Sequence, residues 1–108
     1  MQQDARLDRT FRALADPTRR SMIRALAGGE ARSAGELGAQ FHSAQPTISK
    51  HLKVLEMASL IERRIDGRVH RFRLRRQPLK MAGNWIYRHQ EFWTGAVDQL
   101  ERMLKDEA

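Results

Sequence analysis

Residues 43–58 read S-A-Q-P-T-I-S-K-H-L-K-V-L-E-M-A, a stretch with two faces of opposite character. At about 100° per residue, Ala44, Ile48, Leu52 and Leu55 fall on one stripe of a helix. Pro46, Thr47, Ser49, Lys50 and Lys53 fall on the opposite one, which is short, polar and cationic. Ser43 is placed to cap the first free amides, and Pro46 is tolerated in a first turn whose N–H groups lack intrahelical partners. Small hydroxyl residues beside lysines let a helix approach base edges while holding phosphates, as a major-groove reader must. The stretch therefore reads as a recognition helix. Ser43, Gln45, Pro46, Thr47, Ser49, Lys50 and Lys53 are its candidate DNA contacts.

Downstream, Leu60–Ile65 and Arg68–Leu74 alternate, or nearly alternate, apolar and charged residues around Asp66-Gly67, a strong two-residue hairpin signal. The expected element is a basic β-wing in which Arg64, Arg68, His70 and Arg71 are the candidate contacts. A helix-turn-helix followed directly by such a hairpin is the winged-helix arrangement. Ser43, Thr47, Ser49, His51, Leu52, Leu55 and the later Asp66-Gly67-Arg68 resemble the signature of the ArsR family of bacterial winged-helix repressors. Upstream, Ala15-Asp16-Pro17-Thr18-Arg19-Arg20 is similar to that family's second helix. The resemblance implies a symmetric homodimer that occludes a promoter at an inverted repeat, with autoregulation of its own operon.

The chain of 108 residues is expected to form one domain, residues 1–108, with a modest core. Its net charge of +7 is unevenly placed. Residues 1–16 hold three Arg against three Asp, residues 17–76 hold 13 Lys/Arg against five Asp/Glu, and residues 77–108 hold four against five. A basic block that coincides with a helix-turn-helix and wing favours double-stranded DNA over a membrane as partner. The rival from another class is a sequence-blind double-stranded nucleic-acid binder that uses the same block without reading bases. Neither a nucleophile triad, a glycine-rich phosphate loop nor a paired-carboxylate cluster stands out, so no enzyme and no cofactor is expected. The chain has no cysteine, and its first ten residues have no apolar run. A cytoplasmic address is the expectation.

In order, a first helix over about 4–15 is expected to bury Leu7, Phe11 and Leu14. Asp16-Pro17 opens a second helix that turns Met22, Ile23 and Leu26 inward and ends at Gly28-Gly29. It leaves Arg19, Arg20 and Arg24 outside, the first two as candidate phosphate contacts. Ser33-Ala34-Gly35-Glu36 is a capping box for a short third helix that ends near Gln40, and Ser33 is a further candidate DNA contact. Phe41 is the expected apolar plug of the turn. Gln77-Pro78 ends the wing, and one unbroken helix is expected over about 79–105. The fold class is thus mainly α with a small β-wing: about five helices and a two-stranded antiparallel hairpin.

That last helix is apolar over two adjacent stripes, including Trp85, Ile86, Phe92, Trp93, Val97, Leu100 and Leu104, which implies a partner surface. In the family the first and last helices pair between two copies. Leu7, Phe11, Trp85, Phe92, Trp93, Val97, Leu100 and Leu104 look like that interface. Alternatively, Trp85, Tyr87, Phe92 and Trp93 line a small-molecule pocket. Pro78-Leu79, Trp85 and Phe92-Trp93 also resemble a branch of the family without the usual metal-binding motifs. The four histidines, at 42, 51, 70 and 89, are scattered, and His89 with Glu91 lacks the spacing that converges two ligands. No metal site is expected, and His51 reads as a structural histidine.

Overall fold

The computed structural model describes residues 2–106. Its elements run α1 (Gln2–Leu14), α2 (Pro17–Leu26), β1 (Arg32–Ser33), α3 (Ala34–Phe41), α4 (Gln45–Met57), β2 (Ile61–Asp66), β3 (Val69–Leu74), α5 (Gln77–Arg88) and α6 (Gln90–Asp106). The fold is mainly helical with a small antiparallel sheet. It has six helices and three strands among the described residues, where the sequence suggested five and two.

The capping signals of α2 and α3 act as the sequence predicts. Asp16 caps α2 by accepting from the Arg19 N–H at 3.0 Å, with Pro17 in the first turn. Ser33 and Glu36 form the full capping box of α3, each side chain accepting from the other's backbone N–H. Beyond α2, Gly29 adopts φ +88 and donates to the Leu26 carbonyl. The α3–α4 turn passes through His42 at φ 51, a left-handed conformation that histidine adopts more readily than most residues. Gly38 on α3 permits the close crossing there: a Cβ on it would stand 3.0 Å from Gln45 Nε2.

The core is built from one face of each element. Met22, Ile23 and Leu26 of α2, Leu37 of α3, Ile48, Leu52 and Leu55 of α4, and Leu60, Ile61 and Phe72 of the sheet region close on Ala13 of α1. Phe41 packs partly buried against this cluster, in the place expected of the plug. Each large side chain buried here contributes about 1.5–3 kcal/mol. The buried seam of α1 is Leu7, Thr10 and Ala13, with Phe11 and Leu14 only half-buried. Thr10 offsets its burial by donating to the Arg6 carbonyl at 3.0 Å.

Five expectations are corrected. The N-cap of α4 is Ala44, which lacks a side-chain cap bond, while the Ser43 hydroxyl donates back to the Phe41 carbonyl at 3.2 Å. Ala44, expected on the apolar stripe, is accordingly exposed. The hairpin turn is centred on Gly67-Arg68 and not Asp66-Gly67. Asp66 pairs with Val69, and Gly67 at φ 64 occupies the first central position that a II′ turn reserves for glycine.

A third strand, β1, pairs Arg32 with Phe72 and Ser33 with Arg71, so the wing is an extension of a sheet in the order β1-β3-β2. The terminal helix, expected to be unbroken, divides at His89. There the imidazole Nδ1 donates to the Trp85 carbonyl at 2.7 Å, the acceptor that the residue's own amide would need to continue α5. That amide turns to the Ile86 carbonyl instead, and the His89 carbonyl starts α6 by accepting from the Trp93 N–H.

Candidate nucleic-acid interface

The exposed face of α4 is the one predicted. Gln45, Pro46, Thr47, Ser49, Lys50 and Lys53 are all exposed, while Ile48, Leu52 and Leu55 on the opposite side are 0–1% exposed. A helix anchored this firmly by its apolar face presents its polar face as a rigid body. Ser43, just before the helix, is half-buried and spends its hydroxyl proton on Phe41.

The β-ladder divides the wing into two faces. Directly paired residues share a face, so Ile61, Arg63 and Ile65 stand with Leu74, Phe72 and His70, and Glu62, Arg64 and Asp66 stand with Arg73, Arg71 and Val69. Arg63 is a brace that sequence reasoning did not single out. It donates to both carboxylate oxygens of Glu56 on α4, at 3.0 and 3.2 Å, and to His70 Nδ1 at 2.9 Å, with its guanidinium 5.0 Å from the Phe72 ring centre. The signal was its parity: Arg63 alternates in step with Ile61, on the side of the sheet that meets the core. Because arginine cannot accept, His70 receives through Nδ1 and keeps its proton on Nε2.

Among the candidate wing contacts, Arg64 and Arg68 are exposed, and Arg68 sits in the turn itself. Arg71 is tied to Glu36 at 3.6 Å, which joins the outer face of the wing to the first turn of α3. Ser33 lies opposite Arg71 and is occupied as the α3 cap.

Arg19 and Arg20 have another task. Arg19 donates to the carbonyls of Ala13 at 2.7 Å and Arg12 at 3.1 Å, and Arg20 donates to Leu14 at 2.7 Å, so the pair satisfies the free carbonyls at the end of α1. Arg19 Nη1 also lies 3.4 Å from His51 Nδ1. Asp16 completes this group at 3.9 Å from the same nitrogen, too far for a hydrogen bond. Its carboxyl is held below the usual range, chiefly by the Arg19 N–H and then by the charges of Arg19 and His51. His51 therefore joins α4 to the α1–α2 corner, in the structural role its position suggested. Among the described residues no three His, Asp or Glu side chains converge as a metal site would require.

A helix-turn-helix whose second helix exposes a polar face, followed by a braced basic hairpin, has counterparts among known proteins. The helix-turn-helix domain family matches residues 14–64. The transcriptional repressor SdpR of Bacillus subtilis is 32% identical over 80 residues, covering 74% of this chain and 88% of that protein. The HTH-type transcriptional regulator Rv2034 of Mycobacterium tuberculosis is 34% identical over 100 residues, covering 93% and 90%. A crystal structure of an ArsR family transcriptional regulator superposes with a TM-score of 0.76 at 33% identity, covering 84% of this chain and 93% of that one. The chain belongs to the ArsR family of winged helix-turn-helix transcriptional regulators. An ArsR-like regulator from Rhodococcus sp. RHA1 matches across 94% of the chain and 93% of its own, with a TM-score of 0.75 and 26% identity.

DNA binding and transcription regulation are thus the family's activity, and the relatives named are regulators, not enzymes. A second exposed surface, apolar in character, lies away from the polar face of α4. Phe11 packs edge-on against Trp85 with ring centres 5.9 Å apart, Trp85 reaches Trp93 at 6.1 Å, and Phe92 meets Trp93 at 5.1 Å. Leu7 is buried within the chain at 7% exposure. Phe92, Trp93, Val97, Leu100 and Leu104 are 45–64% exposed, and α6 has no buried residue at all. No helix among the described residues is long and apolar enough to cross a membrane.

Proposed function

We propose that this protein is a sequence-specific repressor that acts as a homodimer on an inverted-repeat operator, with α4 entering the major groove and the wing gripping the flanking backbone. The observation that carries this reading is the division of α4. Gln45, Thr47, Ser49 and Lys50 are free of the core on a helix whose other face is immobilised in it. Lys50 and Lys53 supply phosphate attraction, and the short side chains of Thr47 and Ser49 allow close approach to base edges. Arg64, Arg68 and His70 extend the grip beyond the half-site. Binding to its own promoter would make the protein autoregulatory, and the genes beside its own are the first place to look for the operator.

Footprinting on that operator tests the reading. Ser49→Ala combined with Lys50→Ala should reduce preference for operator over random DNA by about 1–3 kcal/mol per lost base contact. A double variant that protects the operator with undiminished selectivity would refute the role of α4 and leave a binder that does not read bases.

A further inference from the structure

A cavity of about 300 Å³ opens where α1, the Ala58-Ser59 turn after α4 and the link between β3 and α5 meet. Arg6 and Arg9 of α1 and Arg75 of the link are among its lining residues, and no carboxylate is. None of the three arginines forms an ion pair among the described residues. Leu7, Pro78 and Met81 give the cavity an apolar side.

Ser59 is an independent sign that the place is specialised. It ends α4 at φ 59, with its N–H donating to the Glu56 carbonyl and the Leu60 N–H donating to Leu55. This is a helix-closing position at which glycine is favoured, because a side chain in the left-handed region is strained. The turn after α2 does use glycine, at Gly29. At the end of α4 a hydroxyl-bearing residue accepts the strain and lines the cavity.

We propose that this cavity is a binding site for a small organic anion. Its oxyanion head is held by Arg6, Arg9 and Arg75 with the Ser59 hydroxyl, and its short apolar body lies against Leu7, Pro78 and Met81. Guanidinium forks match carboxylate and phosphate oxygens alike, so the shared chemistry is an oxyanion on a compact apolar group. The volume is at the lower end for ligand pockets, which excludes a dinucleotide or a long acyl chain. The proposal concerns the free protein and does not depend on how it reads DNA.

Calorimetric titration of the full chain without DNA decides it, with benzoate, phenyl phosphate, inorganic phosphate and neutral benzamide as probes. Benzoate or phenyl phosphate, whichever head the site prefers, should bind once per chain. Inorganic phosphate should bind about tenfold more weakly and benzamide not at all. Arg75→Ala should cost about tenfold or more in affinity, and Arg75→Lys, which keeps the charge but loses the fork, should also weaken binding. Arg68→Ala, at the wing tip, should leave it unchanged. Ser59→Gly should raise the melting temperature yet weaken binding, a combination that misfolding cannot produce. The site is refuted if neither organic anion binds, if inorganic phosphate binds equally well, if Arg68→Ala weakens binding as much as Arg75→Ala, or if Ser59→Gly binds undiminished.

Discussion

Asp16 shows how one side chain serves several ends. It caps α2 through the Arg19 N–H and lies beside His51 of α4, so the corner that supports the recognition helix depends on its charge. Its carboxyl is more acidic folded than unfolded. The stability this confers is present above about pH 4 and is lost as pH falls through the folded value. Asn caps as well as Asp but does not titrate, so Asp16→Asn should flatten the fall in melting temperature between about pH 5 and 3. Identical profiles for the two proteins would remove Asp16 from the acid response. At the wing tip, Arg68→Ala should weaken operator and random DNA together, with a salt slope shallower by about 0.9. A loss confined to one base pair would make Arg68 a reader of sequence instead. Asp16-Pro17 and Ser33–Glu36 were legible in the sequence because a cap is decided within four residues. The ties of Arg19 and Arg20 to the end of α1, and of Arg63 to Glu56 and His70, were not, since they depend on which elements become neighbours.

At the scale of elements, the crossing of α3 and α4 sets how the reading face is presented. Gly38 lies against Ile48 and the end of the Gln45 side chain, which makes it a spacer between the two helices. Gly38→Ala would place a methyl 3.0 Å from Gln45 Nε2, a flexible group that can yield. The fold should survive with a stability change within about 1 kcal/mol, while the displaced Gln45 amide should alter base preference at the edge of each half-site. Comparing melting curves and footprints of the variant separates the two effects, and an unchanged footprint would exclude Gln45 from base reading. Periodicity revealed α2, α3, α4 and the wing because each has a full apolar face and a clear start or stop. It could not reveal β1, whose two residues are too few for a pattern, nor the break in the last helix. His89 is neither Pro nor Gly, and at the division of α5 from α6 its ring takes the Trp85 carbonyl while its own amide turns to Ile86.

The whole molecule is extended, 62 × 32 × 23 Å, with a radius of gyration of 17.7 Å against about 13 Å for a compact chain of this length. The excess comes from α6, about 25 Å of helix with no buried residue. Phe92, Val97, Leu100, Met103 and Leu104 are all more than half exposed, while the segment from 77 to 108 carries no cationic excess to hold phosphates. Such an apolar stripe on water is costly unless something covers it, and a second copy of the same helix presents the matching surface. Pairing through α6, with Phe11 and Trp85 alongside, would set two α4 helices at the spacing of successive major grooves, about 34 Å. Two half-site contacts would then act as one, raising affinity by about 10²-fold or more over a single chain. Trp93→Glu places a charge in the middle of the stripe, where Trp85 and Phe92 now meet the indole. The variant should sediment as a monomer, keep the helical circular dichroism and cooperative melting of a folded chain, and lose that factor on a full operator while binding a single half-site as before. A folded Trp93→Glu monomer that holds the full operator as tightly as the parent would show that operator reading does not require the pair.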